Sequence, residues 1–275
     1  MLGGGGITGI AWMLGLVTGL AERGIDLRGA DDVIGTSAGS VVGAQLATGV
    51  DLDERYAAQL ADASGETAAV LGRGTLVRFV LAALTGGRDP QAARARIGRV
   101  ALRASTMPES ERIAVIGARL PVKEWPGRSL RVTAIDAHDG AFRVLDRSSG
   151  VPLVHAVAAS CAVPGVYPPV TVGATRLVDG GMRSPVNADL AAGAARVVVL
   201  APIPRGLGRG TGVGRQVEEL RAGGARVALV TPDHDAIAAI GRNVLDPARR
   251  AGSARAGRAQ AAAVADTVRD VWDRP

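Results

Sequence analysis

The chain changes texture several times along its length. No charged residue occurs before Glu22, and Ile10 to Ala21 is apolar all round, which predicts a buried helix. The run Asp32-Asp-Val-Ile-Gly-Thr-Ser-Ala-Gly-Ser-Val-Val-Gly-Ala reads as a short strand, a tight turn and a helix of small residues from Ser40 to Leu46. From about 50 to 120, apolar and charged residues mix at spacings of three and four, which predicts a helical insertion. Its breaks fall near Ser64-Gly65, Gly72-Arg-Gly, Gly86-Gly87 and Met107-Pro108. A greasy stretch from Leu76 to Leu84 reads as core packing ahead of a lipid-facing helix. After Trp125-Pro-Gly, Leu130–Ile135 and Ala141–Leu145 alternate around His138-Asp-Gly, a hairpin signal. Val151–Ser160 reads as a helix, and Leu177-Val178 as a strand end leading into Asp179-Gly-Gly. Asp189–Ala195 reads as a helix, Val197–Leu200 and Val227–Val230 as buried strands, and Gly206–Gly214 as a loop. Asp235–Asn243 and Pro247–Trp272 predict two closing helices. Strands alternating with helices predict an α/β fold, a mostly parallel sheet covered on both faces. No repeat or linker divides the chain, so residues 1–275 are expected to form one domain.

Composition narrows the function classes. At 47% hydrophobic and 21% charged, the 275 residues can build a sizeable core. Only 3% are aromatic, which argues against a stacking platform for single-stranded nucleic acid. Cys161 is the one cysteine, so neither a disulfide framework nor a multi-cysteine zinc site is expected. The net charge is +6, yet Lys123 is the sole lysine among 32 basic residues, a composition habit before it is a functional signal. The run Arg249, Arg250, Arg255, Arg258 reads as a solvated helix face, and no nucleic-acid partner is expected. The uncharged start has no basic residue for a signal peptide, and Gly3, Gly4, Gly5, Gly6 and Gly9 would spoil a membrane-spanning helix. A cytoplasmic protein with at most peripheral membrane contact is expected. Only Met1 and Leu2 stand where a strand should precede the glycine loop, so a form extended by several residues is expected to be more stable or active.

Three motifs carry chemistry. Gly35-Thr-Ser-Ala-Gly39 matches G-x-S-x-G, in which a serine sits on a strained strand-to-helix turn and small neighbours let backbones approach. The alternative is a tight turn in a Gly/Ala-rich chain. Gly4-Gly-Gly-Ile-Thr-Gly9 offers backbone N–H groups at a helix start, a nest for an anion. It also satisfies G-x-G-x-x-G, so a nucleotide- or cofactor-binding module stays open, with Asp26, Asp31 or Asp32 as the acidic residue facing a ribose. Asp179-Gly180-Gly181 places a carboxylate on a turn at a strand end, where a plain turn aspartate is the simpler reading. A Ser37–Asp179–His234 triad would keep the chain order of α/β hydrolases, but residue 37 leaves room for barely one strand before the elbow. His138, His155 and His234 are read as structural.

A glycine loop, then G-T-S-A-G about 30 residues on, then D-G-G well downstream, resembles the patatin-like phospholipases. The segment Ala158-Ala-Ser-Cys-Ala-Val-Pro-Gly-Val-Tyr-Pro-Pro is similar to the one that family places before its D-G-[AG] motif. The likeness spans residues 4 to 181. It implies a three-layer α/β/α fold and a serine hydrolase acting on lipid carboxylic esters, of phospholipase A, lysophospholipase or esterase type. Ser37 would be the nucleophile, Asp179 its base, and the N–H groups of Gly4, Gly5 and Gly6 an oxyanion hole, with Gly9, Gly35, Gly39, Gly180 and Gly181 shaping the motifs. The cleft is expected to be lined by Ile7, Val41 and residues of the Asp51–Leu120 region. No metal or cofactor is implied, and the partners would be a lipid or ester substrate and, transiently, a membrane surface. A catalytically silent binding protein on the same scaffold is the further alternative. The family often carries Arg or Lys just before the last glycine of its first block; here that residue is Thr8.

Overall fold

A computed structural model describes residues 1–61, 89–204 and 212–273. The Leu76–Leu84 stretch and the first three of the expected breaks lie outside them. In chain order the elements are α1 (Gly6–Ala21), β1 (Asp32–Gly35), α2 (Ala38–Ala47), α3 (Leu52–Leu60), α4 (Pro90–Leu102), α5 (Glu109–Arg119), β2 (Ser129–Asp136) and β3 (Phe142–Leu145). They continue with α6 (Leu153–Ser160), β4 (Val170–Val172), β5 (Thr175–Asp179), β6 (Arg196–Leu200), α7 (Val213–Ala222), β7 (Arg226–Val230), α8 (His234–Ile240) and α9 (Arg250–Trp272). Local chemistry sets many of the boundaries. Asp51 caps α3 through the Asp53 and Glu54 amides, and Asp89 caps α4, with Pro90 in the first turn where its missing N–H costs nothing.

Strands β1-β2-β5-β4 lie side by side, with β3 also paired to β2, while β6 and β7 form a parallel pair. Met1–Gly3 joins the two. Leu2 donates to the Ile34 carbonyl at 2.8 Å, Leu200 donates to Met1 at 2.9 Å, and Leu2 bridges in parallel to both Gly35 and Leu200. Met1–Gly3 thus occupies the strand position directly ahead of the glycine loop. The β1–β2 ladder is parallel, and the β2–β3 and β4–β5 hairpins with the β2–β5 ladder add antiparallel pairs, so the sheet is mixed.

Alternation along the strands builds a layer on each face. Leu130, Val132 and Ala134 of β2, Leu177 of β5, Leu200 of β6 and Ala228 and Val230 of β7 join the main core with α1, α2, α6 and α9. The intervening Ile135 and Val178 meet Ala101 of α4, while Val197, Val199 and Val227 meet Val213, Val217 and Leu220 of α7. Helices therefore cover both faces.

As its apolar surface predicts, α1 is buried from Ile7 through Leu20. It lies backbone to backbone against α9: a Cβ on Gly15 would sit 2.0 Å from the Ala254 carbonyl oxygen, and one on Gly257 would sit 2.1 Å from that of Trp12. The buried Trp12 indole donates to Gln260 Oε1 at 2.9 Å, satisfying a polar group that the close approach shuts away from water.

Two stretches depart from the sequence pattern. The helix expected over Asp189–Ala195 is only a 3-10 turn, Ala188–Ala191, and Gly193 at φ 86° turns the chain toward β6. Neither β4 nor α7 stands out in sequence: β4 is three residues long, too short for periodicity, and α7 begins inside the apparent glycine loop. The arginine run lies on the surface as expected, with Arg249 and Arg255 exposed and Arg250 and Arg258 partly so, and three of the four also hold neighbouring elements. Arg249 donates to the Ala238 carbonyl, Arg250 to that of Ala61, and Arg258 pairs with Glu22 over the Tyr56 ring.

Candidate active site

Ser37 lies on the turn between β1 and α2 with φ 52° and ψ −118°, a left-handed conformation costly for a residue with a side chain. Its surroundings hold it there. The Ser37 N–H donates to Ser160 Oγ at 2.9 Å, and its carbonyl accepts from the Ser40 amide at 2.8 Å, the Ser40 hydroxyl at 2.7 Å and the Cys161 thiol at 3.3 Å. Ser160 and Cys161 close α6, so the Ala-Ser-Cys segment clamps the elbow. Burial pushes the Cys161 thiol up to about 11, which keeps it protonated as a donor. The motif glycines let backbones close in: side chains at Gly35 and Gly39 would strike Gly39 and Leu2 backbone, and one at Gly9 would press on Pro202.

Asp179 ends β5, paired across from Ala134 of β2, and its N–H donates to the Ala162 carbonyl at 3.0 Å. Gly181 N–H donates to Asp179 Oδ1 at 2.7 Å. Asp179 and Ser37 are 6% and 8% exposed, enough access for a small group and too little to solvate a carboxylate fully. Burial pushes the Asp179 carboxyl up to about 6; the neighbouring Ser37 side chain, the Gly181 amide and the Arg112 charge hold it from rising further.

A buried polar network sets this turn. Thr36 and Thr133 hydroxyls meet at 2.9 Å, and Asn187 Nδ2 donates to Thr36 Oγ1 at 3.0 Å and to the Ser184 carbonyl at 2.9 Å. Gly180 fits against Thr133, where a Cβ would lie 2.3 Å from Oγ1. Neither Thr133 nor Asn187 stood out in sequence. The one available sign for Asn187 is its residue type, since asparagine tolerates the left-handed φ of 53° it adopts.

The glycine loop runs alongside. A Cβ on Gly4 would lie 3.4 Å from Ser37 Cβ. Gly6 has φ +59° and no room for a side chain beneath the Val244 carbonyl. The Gly4 N–H donates to the Pro185 carbonyl at 2.8 Å, whereas the Gly5 and Gly6 N–H groups have no protein acceptor among the described residues. Thr8 is fully buried and holds the Val244 carbonyl through its amide and hydroxyl, so this loop contributes no cation.

Ser37 and Gly6 open onto a cleft of about 280 Å³, counting the open space at its mouth, lined also by Ile7, Arg112, Tyr167 and Leu245 among others. Ile7 is where the sequence places it; Val41 instead points into the core. No histidine lines the cleft. His234 is exposed beside Asp235 at the start of α8, His138 sits in the β2–β3 turn, and His155 lies on α6. Asp26 pairs with Arg28 and Asp32 with Arg131, which removes two of the three acidic residues a nucleotide site would draw on.

The family model described as patatin-like phospholipase matches residues 1–192, which takes in the glycine loop, the serine elbow and Asp179. The chain belongs to the patatin-like phospholipase family. The fold is also similar to two solved structures. With VipD from Legionella pneumophila it shares 14% identity at a TM-score of 0.48, over 96% of this chain and 66% of that one. With the type III effector protein ExoU it shares 19% identity at a TM-score of 0.42, over 97% of this chain and 52% of that one. The patatin-like chain thus spans about two thirds and about half of these neighbours' lengths. A search of curated proteins returns no match. Among the described residues, no helix of this patatin-like chain is long and apolar enough to cross a membrane.

Proposed function

We propose that the protein is a serine acyl hydrolase that cleaves carboxylic esters of lipids through a Ser37–Asp179 dyad. The observation that carries this reading is a buried serine held at a left-handed elbow beside a buried carboxyl that burial pushes up to about 6. A base of that strength is ionised at neutral pH yet far better matched to a serine proton than an exposed aspartate. Ser37 Oγ attacks the acyl carbonyl as its proton passes to Asp179. The carbonyl electrons move onto oxygen, where the free N–H groups of Gly5 and Gly6 at the start of α1 receive the negative charge. Collapse breaks the ester C–O bond, and the leaving alkoxide takes the proton from Asp179. Water then attacks the acyl-enzyme as its proton passes to Asp179, and collapse releases the acid while Asp179 returns that proton to Ser37 Oγ.

A lipid substrate is favoured by the family and by the apolar wall of Ile7, Ile10 and Leu245 beside the nucleophile. Such a substrate brings the enzyme into transient contact with a membrane surface. The test is release of p-nitrophenol from a short-chain ester, and of fatty acid from a lysophospholipid, by wild type, Ser37→Ala and Asp179→Asn. Turnover by wild type with at least a roughly 10³-fold loss in both variants is expected. Folded wild type inert toward both esters would overturn the reading.

A further inference from the structure

Arg112, on α5, is 5% exposed, and no hydrogen bond or ion pair reaches its guanidinium among the described residues; its Nε is buried without an acceptor. The guanidinium lies 3.5 Å from the centroid of the Tyr167 ring, which covers one face and leaves the edge donors free. A buried charge without a counter-ion is costly, and one ring face does not make up for it. The nearby carboxylate, Asp179, forms no ion pair with Arg112 among the described residues and already accepts from the Gly181 N–H. Arg112 lines the same cleft as Ser37, and so does Arg119. Two arginines therefore converge on a cleft whose glycine loop brings no cation.

We propose that Arg112 is a substrate-binding residue whose guanidinium edge receives an oxyanion carried by the ester, so that the cleft selects anionic over neutral lipid esters. The planar fork matches phosphate or carboxylate oxygens with two parallel N–H···O bonds, and Tyr167 fixes its plane. Bringing the anion in satisfies the buried Nε and supplies the missing counter-charge. The preference therefore arises as much from neutralising a buried cation as from the hydrogen bonds themselves. The inference rests on the hydrolase reading for the word substrate, whereas the binding site is testable without turnover.

The experiment is calorimetric titration of wild type, Arg112→Gln and Arg112→Lys with short-chain, monomeric ether lipids that cannot be hydrolysed. One carries a phosphodiester head group, one a carboxylate and one a neutral glycerol; inorganic phosphate is titrated separately. Wild type is expected to bind at least one anionic ether about tenfold more tightly than the neutral one, and which anion it prefers identifies the source. Arg112→Gln is expected to erase the preference, and Arg112→Lys to keep part of it. Equal affinity of wild type for all three ethers, a preference that survives in folded Arg112→Gln, or binding of inorganic phosphate with no head-group preference would each overturn the proposal. A second readout separates charge from packing: where esters are turned over, Arg112→Gln is expected to move the acid midpoint of the rate upward, because the charge that holds the Asp179 carboxyl down is gone. Ester cleavage without head-group preference would sink the Arg112 proposal alone, and head-group preference without cleavage would sink the hydrolase reading alone.

Discussion

Asp179 couples chemistry to stability through one proton. Its carboxyl lies near 6 in the folded protein against an ordinary 3.8. Between those values the folded state holds a proton the unfolded chain has lost, so this group's contribution to stability falls as pH rises through about 4 to 6. Above that window the ionised, buried carboxylate is a standing cost on the order of 2–3 kcal/mol. Asp179→Asn is therefore expected to abolish turnover and raise the melting temperature at pH 8, with the gain gone at pH 4. Equal destabilisation at both pH values would contradict this. The ester-cleavage rate of wild type should rise with pH around a midpoint near 6, since only the ionised form accepts the Ser37 proton. Ser37, Asp179 and the glycines of the proposed site are legible in sequence because each sits in a short motif with rigid spacing. Arg112 and Asn187 are not, since each matters through partners far away in the chain and belongs to no local pattern.

At the scale of elements, small residues decide where helices meet. Gly15 and Gly257 let α1 and α9 touch backbones, so Gly15→Ala forces a Cβ to within 2.0 Å of a carbonyl oxygen. Overpacking of this kind is expected to cost about 2–3 kcal/mol in urea unfolding. Gly252→Ala, on α9 with nothing within 4 Å of the added Cβ, is expected to stabilise by up to about 1 kcal/mol. The same sign for both would show that helix propensity and not contact governs this pair. Hydrophobic period identified β1, the β2–β3 hairpin, β6, β7 and most of α1, because long or buried elements impose it strongly. It failed for β4, which is too short, and for Asp189–Ala195, where Gly193 turns the chain before a helix can propagate.

For the molecule as a whole, Met1–Gly3 is the joint on which the fold depends. It hydrogen-bonds to β1 on one side and β6 on the other, and the glycine loop leaves directly from it. The described elements are therefore expected to unfold in a single transition, with calorimetric and van't Hoff enthalpies equal. Two separated transitions, one following the β6–β7 pair, would contradict a single domain. This joint was only half legible: the loop calls for a strand before it, but two residues carry no periodicity, and their pairing comes from tertiary structure. The central claim is that all of this architecture serves one activated serine. The most direct measurement is labelling by a fluorophosphonate probe, read by mass spectrometry on wild type, Ser37→Ala and Asp179→Asn at pH 8. The account predicts one adduct, on Ser37 of wild type, absent from Ser37→Ala and strongly reduced in Asp179→Asn. Unlabelled folded wild type, or an adduct that persists in Ser37→Ala, would contradict it.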